Sequence, residues 1–316
     1  MKPFYVALIA ICVFLLILVG VYFIAMYKMF TMTLVRPSLI KRKKRKPLAK
    51  PKEPSPYEAL LEERRKEFET YEKEEVSIKS FDGLKLNGIL LKNKIKNKVI
   101  ICCHGYHSNA INEFIYGYNY YKLGYTILCI DQRSHGTSEG KYIGMGILER
   151  KDVLDWIKFI KDKYGEDIQI VLEGVSMGAA TVMMASELIK DPSVKGIIAD
   201  CGFTTVKEEF MHAGKVPGIR FHYHVINMYN RILAKFNLSE TNSIKSLKNS
   251  HIPLLIIHGS KDDFVPTKFA SVLYEASASE IKELVIIEGA KHAESYQTNP
   301  SLYEEHVLAF LKKINF

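Results

Sequence analysis

The chain has five cysteines and no Cys-x-x-Cys pair; Cys102 and Cys103 are adjacent, and Cys12, Cys129 and Cys201 stand alone. That spacing excludes the usual zinc frameworks. Four of the five lie in or at the end of apolar, strand-like runs, where a thiol behaves as a small hydrophobe, so they read as reduced core residues. There is no internal repeat, which excludes a solenoid or propeller. The chain also lacks a charge excess where a folded domain would need one to hold nucleic acid. The net charge is +9 over 316 residues, but residues 1–53 carry eleven Lys/Arg and one acid, Glu53. The rest carries 33 bases and 34 acids, so the folded part is nearly neutral. No aromatic residues interleave the basic run, and a nucleic-acid role is not expected.

One long apolar run is present. From Phe4 to Phe30 the only charged residue is Lys28. About 20 apolar residues cross a bilayer as a helix, and this run is longer. Tyr5 near one end and Tyr22, Phe23 and Tyr27 near the other match interfacial aromatic belts. A cleavable signal peptide would be shorter and end in a small-x-small site, and residues 23–28 offer no good one. We expect residues 1–30 to be an uncleaved single-pass anchor. Arg36, the run Lys41–Lys46, Lys50 and Lys52 follow it, so the positive-inside rule keeps the carboxyl side cytoplasmic, with an extracellular domain as the alternative. The same bases can hold anionic headgroups. Five prolines make residues 31–56 a semi-extended tether. Ser55-Pro56-Tyr57-Glu58 then has a capping pattern, and Leu60, Leu61, Phe68 and Tyr71 follow at helical spacing, so an amphipathic helix opens the main domain at residue 57.

Val76–Lys79 and Leu84–Leu90 alternate in polarity around Asp82-Gly83, a hairpin signal. Six apolar strands follow: Val99–Cys103, Thr126–Ile130, Ile168–Leu172, Gly196–Ala199, Leu254–Ile257 and Leu284–Ile287. Helical stretches near 109–122, 145–164, 177–190, 267–277 and 300–314 alternate with them. That rhythm predicts an α/β fold, a mostly parallel sheet with helices on both faces. Sites in such sheets lie at the carboxyl ends of strands, which here read His104-Gly105, Asp131, Ser176, Asp200, Asp262 and His292. About 50 residues, 203–252, separate strands 6 and 7, too many for a loop, and should form a helical cap.

Gly174-Val175-Ser176-Met177-Gly178 follows a strand and opens a helix of small residues, the setting of a G-x-S-x-G nucleophile elbow. A Cβ at either glycine should collide with neighbouring backbone. Ser176 needs a base, and a histidine oriented by a carboxylate supplies one. His292 lies just past the last strand and is the base. Asp262, in His258-Gly259-Ser260-Lys261-Asp262, is the orienting acid, with Asp263 and Asp200 as alternatives. An oxyanion hole takes two backbone N–H groups. Met177 supplies one and Tyr106, after Gly105, the other, while the Tyr106 phenol is a second candidate for donating or lining the acyl pocket. The charged residues of Asp131–Ser138 read as braces between loops. His222 and His224 are too ordinary in spacing to be metal ligands, and Glu208-Glu209 reads as a solvated helix face. No cofactor or metal is called for.

Together these motifs resemble the α/β-hydrolase superfamily over about residues 74–316. The carriers are His104-Gly105, Asp131-x-Arg133-x-His135-Gly136-x-Ser138, the elbow, His258-Gly259-x-x-Asp262-x-x-Val265-Pro266 and His292. Within it the chain is similar to bacterial serine-aminopeptidase-like and dipeptidyl-peptidase-like hydrolases, some with an N-terminal membrane segment, and to eukaryotic membrane-associated acyl-protein thioesterases. The resemblance implies an eight-stranded sheet and a Ser–His–Asp hydrolase. Ser134 stands where the family often has glycine. The expected activity is cleavage of an acyl ester or thioester on a small-molecule or lipid-like substrate through an acyl-enzyme. A peptidase using Glu208-Glu209 to hold a free amine, and a non-catalytic binding protein on the same fold, are the alternatives. Acyl chain, leaving group and oligomeric state are not encoded legibly.

Overall fold

The computed structural model describes residues 3–39, 56–213 and 218–316. The basic run Lys41–Lys46 and Ser55 lie outside the described residues, as does most of the expected tether. Eight strands form one sheet: β1 (Glu74–Lys79), β2 (Lys85–Leu91), β3 (Ile95–Cys103), β4 (Tyr125–Ile130), β5 (Gln169–Val175), β6 (Val194–Asp200), β7 (Leu254–Gly259) and β8 (Lys282–Ile287). Their spatial order is β1-β2-β4-β3-β5-β6-β7-β8. β2 pairs antiparallel with both β1 and β4, and every other pairing is parallel. The hairpin turn is at Asp82-Gly83, where Gly83 has φ 94°, a value that favours glycine.

Side-chain alternation along the central strands divides the core. On β3, Ile100 and Cys102 face one layer while Val99, Ile101 and Cys103 face the other. The first layer is α2 (Pro56–Thr70), α3 (Ala110–Lys122), α10 (Ser295–Thr298) and α11 (Pro300–Lys313), packed through Phe68, Phe114, Tyr303 and Phe310. The second is α4 (Glu149–Tyr164), α5 (Met177–Ala185), α8 (Ser243–Lys248) and α9 (Lys268–Ala276), with Trp156, Val182, Leu247 and Leu273. Burying each large apolar side chain contributes about 1.5–3 kcal/mol, and this double layer supplies most of the driving force. Helices cover both faces, and four of the five cysteines are buried in or beside the sheet, all as free thiols.

Two boundaries differ from expectation. The insertion between β6 and β7 holds α6 (Val206–Ala213), α7 (Ile219–Tyr229) and a π-helical turn (Asn230–Ala234), but its last helix, α8, covers the sheet. Ile244 and Leu247 pack into the second layer, so the cap ends before residue 243 rather than at 252. The N-terminal helix α1 (Pro3–Leu34) does not give way to a tether after residue 30. Met26 is buried, and Phe30, Leu34 and Val35 join a third cluster with Ile143, Met177, Phe203, Tyr223 and Ile226. Val35 bridges Tyr142, and the N–H of Ile143 donates to Leu34 O at 2.8 Å. Arg36 donates to the carbonyls of Ser138 (2.6 Å) and Gly136 (2.8 Å). Apolar side chains on the last turns of α1 found protein to pack on, so they left the tether and joined the domain.

Candidate active site

β5 ends at Val175, and Ser176 turns the chain into α5 with φ 56° and ψ −112°. A serine at positive φ is strained, and only crowded surroundings hold it there. The two glycines explain the crowding. A Cβ on Gly178 would lie 1.8 Å from Cys103 O, and one on Gly174 would lie 2.4 Å from the backbone carbon of Gly178. The Ser176 N–H donates to Asp200 O at 2.8 Å, which fixes the turn to the end of β6.

Ser176, Asp262 and His292 come from three separate strand ends and meet. His292 Nε2 is 2.9 Å from Ser176 Oγ, and His292 Nδ1 is 2.8 Å from Asp262 Oδ2. This network assigns the proton on Nδ1 and leaves Nε2 to accept from the hydroxyl. Asp262 Oδ1 accepts from the N–H groups of Phe264 (2.9 Å) and Val265 (2.8 Å). Burial works against ionising Asp262. Hydrogen bonds from His258 and His292, the charge of His292 and the Val265 N–H outweigh it, holding the carboxyl well below the usual range. Phe264 lies against the His292 ring at 4.9 Å. The alternatives for the acid are elsewhere. Asp200 accepts from Ser295 Oγ at 2.9 Å, and burial pushes it up to about 6. Asp263 is exposed.

The loop after β3 carries Gly105, whose added Cβ would sit 3.5 Å from Ser176 Cβ. Tyr106 follows it, and Met177 opens α5, where the first-turn N–H groups have no intrahelical acceptor. The Tyr106 phenol does not point to an acyl group; it donates to Thr33 O of α1 at 2.6 Å. Two neutral histidines hold this loop. Burial pushes His104 down to about 4 and His135 down to about 3. Each therefore keeps one ring nitrogen as an acceptor. His104 Nε2 takes the Gln132 N–H (3.0 Å), and His135 Nε2 takes the His107 N–H (3.2 Å). The Asp131–Ser138 loop braces its neighbours, as its charges suggested. Asp131 accepts from Ala110 N and Thr137 N, both at 2.7 Å. Arg133 spans Asp152 (2.6 Å) and Asp82 (2.8 Å). Ser134 has φ 65°, which is why glycine suits this position; its hydroxyl donates to Tyr142 O at 2.8 Å.

Sequence reasoning missed three features. His258 shares Asp262 with His292, at 3.2 Å from Oδ2, while also donating to Val265 O at 2.9 Å; its place in the same short motif was the available signal. Glu209 is buried, not solvated, and burial first, then the charge of Asp262, raises it to about 7. Glu208 instead accepts from the hydroxyls of Thr204 and Thr205 at the start of α6. His222 Nδ1 meets Tyr22 Oη at 2.9 Å, an inter-helix contact that spacing alone does not reveal. Among the described residues, the grouping with metal-ligand spacing is Cys201, Asp262 and His292. Burial pushes the Cys201 thiol well up, so it stays protonated and is a poor ligand.

Comparisons with known proteins agree with this architecture. Residues 94–247 match the family model described as serine aminopeptidase, S33. The chain is 28% identical over 256 residues to the uncharacterized protein YqkD of Bacillus subtilis (strain 168), covering 78% of this chain and 82% of that one. It is 21% identical to a carboxylesterase of the same organism, covering 70% and 94%. The crystal structure of the Pyrococcus furiosus esterase Pf2001 superposes with a TM-score of 0.63 at 26% identity, covering 78% and 94%. With its strand order, its elbow and these likenesses, the chain is an α/β-hydrolase. Over residues 94–247 it is similar to the serine-aminopeptidase-like branch of that superfamily.

Proposed function

We propose that the protein is a membrane-anchored serine hydrolase that cleaves an acyl ester or thioester through Ser176, His292 and Asp262. The carrying observation is the continuous hydrogen-bond chain Ser176–His292–Asp262 around a serine at positive φ. Ser176 Oγ attacks the carbonyl carbon as its proton passes to His292 Nε2. Asp262 stabilises the imidazolium through Nδ1–H and stays ionised. The N–H groups of Tyr106 and Met177 receive the oxyanion. The imidazolium then protonates the leaving alcohol or thiol, and water, deprotonated by His292, releases the acyl group. General-base help of this kind contributes about 10²–10⁴-fold, and each oxyanion donor about 10²–10³-fold.

The peptidase alternative draws less support. Glu208 is occupied by threonine hydroxyls, and Glu209, raised to about 7, is only partly ionised near neutrality and pairs weakly with an ammonium group. The esterase names of the relatives favour the acyl-ester reading. The packing of its last turns supports retention of α1. Cleavage within or after the helix would remove Phe30 or Leu34 from a formed core. We place the domain on the cytoplasmic side, by the positive-inside rule; protease protection in intact cells reads the side directly.

The test is a fluorophosphonate probe with short-chain ester turnover. Wild type labels and turns over. Ser176→Ala loses labelling and about 10⁴-fold or more in kcat. Full activity in Ser176→Ala overturns the assignment.

A further inference from the structure

α1 changes character along its length. Through Val21 its side chains are exposed and nearly all apolar, and from Tyr22 they begin to meet the cap. Tyr22 stacks on Phe221 at 5.8 Å and meets His222 at 2.9 Å. The carbonyl of the next residue, Phe23, accepts from Tyr229 Oη (3.0 Å), and one to two turns later Tyr27 and Phe30 lie 5.5 and 6.1 Å from the Tyr229 ring. Tyr22 meets the start of α7 and Phe30 its end, so the two helices run in the same direction. The first turn of α7 therefore points the way the exposed part of α1 points.

The run from Phe4 to Tyr22 is about 28 Å of helix, close to the roughly 30 Å of a bilayer's hydrocarbon. If α1 spans the membrane, Tyr22 sits at the boundary, and no spacer separates the bilayer from the cap. At that same level Phe221, on whose ring only Tyr22 stacks among the described residues, is still 61% exposed, and exposed Arg220 precedes it. An aromatic ring beside a guanidinium suits the boundary between acyl chains and anionic headgroups.

We propose that the first turn of α7 docks on the anionic leaflet from which α1 emerges, with Phe221 among the upper acyl carbons and Arg220 against lipid phosphates. This rests on the reading of α1 as a membrane span and is independent of the serine chemistry. It also fixes the height of the site. Thr33, which accepts from Tyr106 beside Ser176, lies about 16 Å further along α1 than Tyr22. The headgroup layer is about 5–8 Å deep, so Ser176 stands beyond it, above the leaflet rather than in it.

The experiment uses the full chain with Cys12→Ser, since Cys12 is the exposed cysteine and the other four are buried. Cysteine replaces Phe221 in one variant and Phe264, which touches His292, in another. Each carries an environment-sensitive fluorophore in vesicles of equal parts phosphatidylcholine and phosphatidylglycerol, with spin-labelled lipids as shallow quenchers. Carbonate extraction reports insertion. The expected result is a carbonate-resistant chain with position 221 blue-shifted and quenched, and position 264 aqueous and unquenched. A resistant chain with an aqueous label at 221 overturns the docking and leaves the anchor standing. A quenched label at 264 overturns the height. Extraction by carbonate overturns the anchor reading and the docking with it.

Discussion

The strand-end region and the region of the cap and α1 of this molecule are built on different principles. At the strand ends, position is enforced by backbone crowding. Gly178 and Gly174 admit no Cβ, Ser176 is held at positive φ, and buried groups such as Asp262, His104 and Arg133 have their hydrogen bonds met by neighbouring loops. In the cap and α1, position comes from apolar contact between helices, with Phe221 and Ile232 left more than half exposed. The first arrangement suits chemistry, which needs atoms fixed within tenths of an ångström. The second suits contact with a fluid surface, which needs only a face. Tyr106 ties them together, following Gly105 in the loop beside Ser176 and placing its phenol on Thr33.

Four changes break or sharpen this contrast. Asp262→Asn strikes the strand-end side hardest. It keeps the shape but favours the wrong imidazole tautomer, and kcat should fall about 10³–10⁴-fold, with a lower melting temperature at neutral pH because the buried carboxylate's hydrogen bonds stabilise the fold. A variant within tenfold of wild type removes Asp262 from the mechanism. Gly178→Ala forces a Cβ into Cys103 O and should cost about 3 kcal/mol or more, read as loss of soluble, cooperatively melting protein. An unchanged melting curve would show that the elbow is looser than its contacts.

Glu173→Gln tests the polar underside of the site. Burial, then the charge of Asp200, pushes the Glu173 carboxyl up to about 8, against about 4.3 in an unfolded chain. The folded state therefore holds a proton that the unfolded state releases. That stabilisation is full below about pH 4 and is lost as pH rises towards 8. The wild type should lose melting temperature across that window and Glu173→Gln should lose less; parallel pH profiles would refute it. Tyr106→Phe cuts the tie to α1. One neutral hydrogen bond is worth about 1 kcal/mol, so turnover of a soluble ester should fall about fivefold or less, with binding unchanged. A drop as large as that of Asp262→Asn would mean that α1 sets the loop after β3 directly.

Much of the strand-end region could be read from residues alone. Ser176, Asp262 and His292 each follow an apolar strand within a few positions, and the alternation of strand and helix already implies that such ends converge. Asp82-Gly83 marked its turn, and Arg133 lay in a loop whose charges pointed to bracing. The second partner of Asp262 was less legible, because His258 reaches it across a turn whose path local pattern does not give. Glu209 was misread as solvated, since helical spacing says which residues share a face but not what that face meets. The end of α1 was misread as tether for the same reason. Its apolar residues fit lipid and protein equally well by composition.

Sequence alone determined the order of strands and helices, the candidate residues at the strand ends and the tightness of the elbow, because these depend on side-chain period, chemistry and the absence of a Cβ over a few neighbouring residues. Only the tertiary structure decided that α8 leaves the cap for the sheet, that Asp262 serves two histidines, and that the last turns of α1 belong to the hydrolase domain. Those outcomes depend on which distant surfaces approach one another, and an apolar or acidic side chain carries no label for the partner it will meet.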